Sequence, residues 1–419
     1  MHKKQKSLVS ISALFLFAIF VSVSFGKAEK KEGSIKLKAI NPTEISRTDE
    51  LLTIKISVLK KEDPSFNEMA FYINEGEKEL PSQLDKKGNI LFIASFAPKE
   101  TKEITIHYTS GIKRNSYKKM TQAVLGIKTG YNKIDGYYTG GKFVDIDSTT
   151  VPKDHFAHDA LYRFEGPGWE SDKVVYRFYL DSRNRTDIFG KKINELVLDT
   201  IGINDLVSDS KESYTKMLDW GMDIFKVGES LGIGSIAIWD GSNFQAVSKT
   251  DQVKCYIHNG PIMSGIYTKY YGWDVDGKKY NLFSDLSISA GSRLTDVDVK
   301  ISDENVLMCT GLAKHEDCTL IKSDNNIKWG YLALYGKQSL SGDELGIVIF
   351  YKESNLVKIT SDTTSEIIVL KTNKGKLNYY FASAWQQEPK GIKNISEFKK
   401  YLYNTAFCLS YPIKLEFIN

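Results

Sequence analysis

Residues 155–185 carry the strongest local constellation of groups able to move a proton or grip an anion. From Val174 onward, one parity of the chain runs Val174, Tyr176, Phe178, Leu180, and the other runs Val175, Arg177, Tyr179, Asp181, Arg183, Arg185. A β-strand sends alternate residues to opposite faces. One face is therefore expected in a core, and the other presents guanidinium, phenol and carboxylate groups. Just upstream, His155, His158, Arg163, Glu165, Trp169 and Glu170 add titratable and stacking groups. Arginine can hold a carboxylate or sulfate bidentately, and an aromatic ring can stack on a sugar. A solvated sheet face laced with cross-strand ion pairs fits the same pattern equally well.

A second segment, Leu218 to Trp239, holds Gly228, Gly232 and Gly234. Their spacing matches neither a Walker loop nor a dinucleotide fingerprint, and no βαβ alternation surrounds them. Glycines in strand-rich sequence more often mark bulges and close backbone approach. Asp219, Asp223 and Lys226 are the polar groups this turn could present. His107 sits on the polar parity of a strand, while His258 and His315 lie beside turns. There is no HExxH and no Gly-x-Ser-x-Gly, so zinc-protease and serine-hydrolase chemistry lack support. The four cysteines, Cys255, Cys309, Cys318 and Cys408, lack metal-finger spacing. Cys309 and Cys318 could close a small loop, or all four could be buried thiols. No metal is called for; calcium is compatible with the many acidic groups, but no oxygen-ligand spacing demands it.

The elements that must position these groups are mostly strands. Leu52, Ile54, Ile56 and Val58 alternate with polar residues, as do Ile104, Ile106 and Tyr108, and later Thr295, Val297, Val299 and Ile301. Asp-Gly at 135, 240 and 276 and Lys-Gly at 87 and 374 punctuate them. An all-β architecture follows. The clearest helix is expected from Ile395 to Phe407, capped by Asn394 or Ser396, with a weaker one at 193–207. A domain boundary is expected at 112–128. It separates an Ig-sized N-terminal unit (33–112) from a large second unit (128–419) that holds all six tryptophans.

At the N-terminus, Lys3, Lys4 and Lys6 precede an apolar run from Leu8 to Phe25, then Gly26, Lys27 and Ala28. That layout predicts a cleavable secretion signal over residues 1–28, with a transmembrane anchor as the alternative. No membrane association is expected after its removal, and the mature chain is placed outside the cytoplasm, in the periplasm. With 56 basic and 52 acidic residues, the net charge of +4 argues against a nucleic-acid partner. Oligomeric state is not legible.

Several stretches together resemble the DUF4861 family found in Bacteroidota-type polysaccharide-utilisation systems. They are Trp169-Glu-Ser-Asp-Lys-Val-Val-Tyr-Arg-Phe-Tyr, Asp187-Ile-Phe-Gly-Lys, Asp223-Ile-Phe-Lys-Val-Gly-Glu-Ser-Leu-Gly-Ile-Gly, Asn259-Gly-Pro-Ile with Tyr270-Tyr-Gly-Trp, and Tyr379-Tyr-Phe-Ala-Ser-Ala-Trp385. The resemblance covers nearly the whole mature chain. It implies a small N-terminal β-sandwich followed by a galactose-mutarotase-like β-supersandwich, and an enzyme acting on acidic, uronate-containing oligosaccharide or polysaccharide by elimination, as a dehydratase or lyase. A non-catalytic glycan-binding protein and a glycoside hydrolase are the alternatives. Two positions depart from the family pattern. Tyr214 and Asp219 stand where a His precedes a Gly-x-Asp segment, and Met263 stands where Arg often follows Gly-Pro-Ile; either implies a different substrate or weakened catalysis.

Elimination from a uronate must remove the weakly acidic C5 proton beside a carboxylate. On this reading Arg177 or Arg163 neutralises that carboxylate, His158 or Tyr179 exchanges the proton, and Trp169 forms a sugar platform. His155, Asp181, Arg183, Asp223, Lys226 and Trp273 complete the expected substrate-binding set.

Overall fold

The alternating runs become antiparallel strands arranged in two units. A computed structural model describes residues 32–112, 116–203, 213–324 and 327–418. The expected signal segment lies outside the described residues. In the first unit a five-stranded sheet faces a three-stranded one. Glu32–Ile40 and Thr101–Thr109 pair along their whole lengths at the centre of the larger sheet. Leu37, Ile73, Ile104 and Ile106 from one sheet meet Leu52, Ile54, Ile90 and Phe92 from the other.

The second unit is built on a nine-stranded antiparallel sheet. One of its faces packs on two five-stranded sheets. The sheet that matters below runs Gly221–Asp223, Thr186–Lys191, Val175–Phe178, Gly168–Ser171, Thr121–Val124. The shared core takes Trp169, Tyr176 and Ile188 from the small sheet and Tyr270, Leu286, Val297, Ile347 and Phe381 from the large one. Each such side chain contributes about 1.5–3 kcal/mol by leaving water. The all-β expectation holds.

Several elements depart from the sequence reading. The strand carrying Leu52 and Ile54 ends at Lys55, opposite Asn89, and Ile56–Glu62 is a helix that buries Leu59. The partner strand begins at Asn89, so no ladder remains for Ile56 and Val58 to join. The helix expected at 193–207 is a series of turns over 193–203, and 204–212 lie outside the described residues. Its first backbone donors, Val197 N–H and Leu198 N–H, are drawn instead to Glu170 Oε1 in the sheet beneath. The C-terminal helix runs Ile395–Ser410, with Asn394 Oδ1 accepting from Glu397 N–H as its N-cap. It leads to Lys414–Phe417, which pairs with Glu32–Ile40. The end of the stretch assigned to the second unit thus completes the N-terminal sheet, and Arg47 secures the crossing by donating to the Tyr411 carbonyl. All four cysteines are free, so the Cys309–Cys318 loop is not closed.

Candidate functional site

The alternation from Val174 to Arg185 is not one strand. The Val175–Phe178 strand gives way to a turn, and the chain returns as Thr186–Lys191, a hairpin whose register sets Arg177 opposite Asp187. Both lie on the sheet face turned away from the main core, beside Val175 and Phe189. Asp223 joins them because Gly221–Asp223 pairs with the outer edge of the hairpin. Only glycine fits that approach: at Gly221, with φ +135°, a Cβ would lie 1.8 Å from the Gly190 carbonyl oxygen.

Arg177 is the hub of a buried network. Its Nε and Nη2 donate to Asp187 Oδ2 at 2.9 and 2.6 Å, and Nη2 also donates to Asp223 Oδ2 at 2.7 Å and to the Tyr179 hydroxyl at 3.0 Å. The Tyr179 hydroxyl in turn donates to Asp187 Oδ2 at 2.5 Å. The guanidinium lies 4.9–5.6 Å from the rings of Tyr179, Phe189 and Tyr214. Burial works against its charge, yet Asp223, Tyr179 and Asp187 outweigh burial and hold it well above its usual pKa. Burial pushes the Asp223 carboxyl up to about 8, against the pull of Arg177 and with help from Asp187. Burial likewise raises Tyr214 to about 12 and Tyr179 well above the usual phenol range. The network therefore sets a carboxyl whose burial favours its protonated form, Asp223, beside a buried guanidinium.

The network reaches the surface through the turn. Asp181 accepts from Arg183 N–H and Nε at 2.9 Å and from Nη2 at 2.5 Å. This Asx-type turn lays the Arg183 guanidinium 3.9 Å over the Tyr179 ring. Arg183 Nη2 lies 3.0 Å from Glu165 Oε1, and His158 Nδ1 lies 2.5 Å from the same oxygen. Neither approach has hydrogen-bond alignment, so this buried oxygen keeps unspent acceptor capacity. The His158 side chain is 73% exposed, against 15% for Glu165 and 27% for Arg183. With Nδ1 turned against the Glu165 carboxylate, Nε2 is the nitrogen a bound molecule can reach. The backbone here is strained: His158, Ala160, Phe164, Glu165 and Asn184 all have φ between +50° and +66°. Each such residue costs about 1–3 kcal/mol, and strain of this kind clusters at functional sites.

Residues 40–415 match the family described as a domain of unknown function, DUF4861. The chain belongs to the DUF4861 family. It is also 24% identical over 294 residues to the uncharacterized protein P7 of Formosa agariphila, covering 65% of this chain and 71% of that protein. Among solved structures, an α-mannosidase from Enterococcus faecalis aligns over 92% of this chain with a TM-score of 0.45 and 9% identity. A glycosyl hydrolase family 38 protein from the same species aligns with a TM-score of 0.43 and 8% identity. This chain spans about half the length of each.

In this DUF4861 chain the expected site residues divide into two groups. Arg177, Tyr179, Asp181, Arg183, Asp223 and His158 come together, joined by Glu165, Asp187 and Tyr214. The rest stand apart. Arg163 is buried against Phe164 and donates to Asp145 Oδ1 at 2.8 Å. His155 Nδ1 meets Asp159 Oδ2 at 2.7 Å, and Asp159 also takes the Phe156 and Leu161 N–H groups, so this pair ties a loop. Trp169 has no exposed surface and donates its indole N–H to Thr295 Oγ1; it is core, not a stacking platform. Trp273 is equally enclosed, because a register shift between Tyr270 and Trp273 resets the alternation and turns it into the sandwich. Lys226 is exposed, three residues beyond Asp223. Arg185 is buried and donates to the Ser230 and Arg183 carbonyls. Reading the segment as one strand hid Asp187; the ten-residue spacing from Arg177, folded at the Asp181 turn, was the available signal. Among the described residues, no group of three or more His, Cys, Asp or Glu side chains is gathered as a metal site requires. No helix among them is long and apolar enough to cross a membrane.

Proposed function

We propose that this protein is a carbohydrate-active enzyme that eliminates across C4–C5 of a uronate in an acidic oligosaccharide. The observation that carries this reading is the His158–Glu165–Arg183 triplet, an exposed imidazole close to a carboxylate and a guanidinium, on backbone bent into the left-handed region. His158 Nε2 removes the C5 proton, the electron pair becomes the C4=C5 double bond, and the C4–O bond breaks, with solvent protonating the departing oxygen. Arg183 takes the sugar carboxylate and steadies the charge that develops on it. A positioned base is worth about 10²–10⁴-fold, and one donor at a developing enolate about 3–4 kcal/mol. Arg177 is a positioning residue: its donors are committed to Asp187, Asp223 and Tyr179, and the Tyr179 ring carries Arg183. The expected export segment places this chemistry outside the cytoplasm.

The test is ultraviolet absorbance from an unsaturated uronate on incubation with acidic oligosaccharides. Absorbance without a new reducing end indicates dehydration, and with chain cleavage a lyase. His158→Ala is expected to lose about 10²-fold or more in kcat, and Arg183→Ala to raise KM as well. Full activity in either variant would overturn the assignment. Substrate shortening without absorbance would replace it with hydrolysis.

A further inference from the structure

The other face of the nine-stranded sheet lies across the sandwich from His158 and carries a different set of groups. Part of it is covered by the N-terminal unit, where Leu91 and Ile93 pack on Ile262 and Ala290. Another part is covered by Ile395–Ser410, through Phe398 and Leu402 on Val348 and Phe350. Where neither reaches, the sheet floors a cleft of about 820 Å³. That lies within the range of small-ligand sites, about 300–1,000 Å³.

Register arranges the floor in two rows. Lys269 stands opposite Phe283, Phe283 opposite Lys300, and Lys300 opposite Lys376. One step along the strands, Tyr267 stands opposite Asp285, Asp285 opposite Asp298, and Asp298 opposite Asn378. Strand spacing of about 4.8 Å makes the first row about 14 Å long, with Phe283 between Lys269 and Lys300, and the second row lies about 7 Å away; Lys269 Nζ reaches over the Tyr256 and Tyr267 rings at 5.2 and 5.5 Å. The two aspartates of the second row are already engaged by Lys87 of the N-terminal unit, at 2.9 and 2.8 Å. Among the described residues, no carboxylate lies within ion-pair distance of Lys269, Lys300 or Lys376. Lys300 and Lys376 are like charges set directly opposite one another, an arrangement that costs stability unless an anion lies between them.

We propose that this cleft is a second binding site, for an anionic saccharide, distinct from the His158 site. Its acid groups lie over the lysine row, and its hydroxyls bond the Tyr267, Asp285, Asp298 and Asn378 row. The length of the row suits a short oligomer, and the mixture of ammonium, amide, carboxylate and phenol suits a ligand that is both charged and hydroxylated. Lys87 makes the N-terminal unit one wall of the site. The inference does not depend on the reaction proposed for His158.

The experiment is isothermal titration of the His158→Ala protein, to silence turnover, with tetragalacturonate and with a chondroitin sulfate tetrasaccharide. Maltotetraose is the neutral control. At least one anionic probe is expected to bind, more weakly as salt rises, while maltotetraose does not. Lys300→Gln/Lys376→Gln, both exposed positions, is expected to weaken that binding at least about tenfold and to leave the thermal midpoint unchanged or raised. Unchanged affinity in the double variant, equal binding of maltotetraose, or no binding of either anionic probe overturns the proposal. Absorbance assays separate the two sites: absent elimination with lysine-dependent binding refutes the reaction and leaves this cleft standing.

Discussion

The same outer face of one five-stranded sheet holds two buried ionic clusters, and they are solved differently. At one end Glu170 and Lys191 form a single pair in which neither side chain is left without a partner. Glu170 Oε1 accepts from Gln122 Nε2 and from the Val197 and Leu198 N–H groups at 2.6–2.8 Å, and Lys191 Nζ donates to Glu170 Oε2 and to the Ser171 carbonyl at 2.8 Å. At the other end, across Phe189, one guanidinium serves Asp187 and Asp223 together, and Glu165 keeps an unsatisfied oxygen near the surface. The first cluster is balanced, closed and on relaxed backbone. The second has surplus carboxylates sharing one guanidinium and five left-handed non-glycine residues around it. A saturated pair secures a loop, whereas an unsaturated network on strained backbone keeps capacity for a ligand.

The largest expected effect separates the two by stability. Lys191→Met leaves Glu170 buried without its partner and is expected to cost about 3–5 kcal/mol in urea unfolding. Adding Glu170→Leu should recover much of that loss, since a buried pair replaced by apolar groups is often near neutral. His158→Ala, at an exposed position, should change stability by less than about 0.5 kcal/mol while removing elimination activity. If Lys191→Met unfolded no more easily than His158→Ala, the closed pair would not be the structural element of the two.

A smaller effect tests the second cluster by pH. Asp223 has its folded pKa raised to about 8, against about 3.9 in an unfolded chain. Between those values the folded state holds a proton that the unfolded state has released. Its contribution to stability is therefore full below about pH 4 and is lost as pH rises through 8, at no more than about 1.4 kcal/mol per pH unit. Asp223→Asn carries no such proton. Its stability, measured by unfolding from pH 5 to 9, should decline less steeply than that of the unaltered protein. An identical slope would mean that Asp223 is ionised in the folded state.

How far the sequence reveals this site depends on the range of the interactions involved. Alternation and turn pairs predict the strands well, because period 2 and Asp-Gly chemistry are local; Asp276 and Gly277 both take positive φ in the hairpin they signal. Clustering within thirty residues also finds Arg177, Tyr179, Arg183 and His158. What it misdirects is exposure. Trp169 and Trp273 look like platforms because tryptophan beside charge suggests a binding surface, but pairing decides that both face the core, Trp169 by strand parity and Trp273 by the register shift after Tyr270. Asp187 is missed because its role depends on hairpin register, and Tyr214 acquires meaning only where a distant edge brings it to Arg177. The cleft on the nine-stranded sheet is hidden for the same reason: its lysines are spread from position 269 to position 376 and meet only through pairing.

The smallest effect tests strain itself. Ala160 has φ +66° two residues from His158, a conformation that costs an L-residue about 1–2 kcal/mol and glycine almost nothing. Ala160→Gly should therefore stabilise the fold by up to about 1 kcal/mol, partly offset by the entropy of a freer unfolded chain. If the bent backbone serves only to fit the loop, activity should not change. If it presents His158 to the ligand, loosening that loop should lower kcat several-fold with little change in KM, because the imidazole then samples more orientations while Arg183, anchored by Asp181 on the hairpin turn, still holds the substrate. A gain in stability with a loss in kcat is the combination that ties the strain to the chemistry, and no equivalent substitution exists at the Glu170–Lys191 pair, where among the described residues the left-handed position facing Lys191 is already a glycine, Gly221.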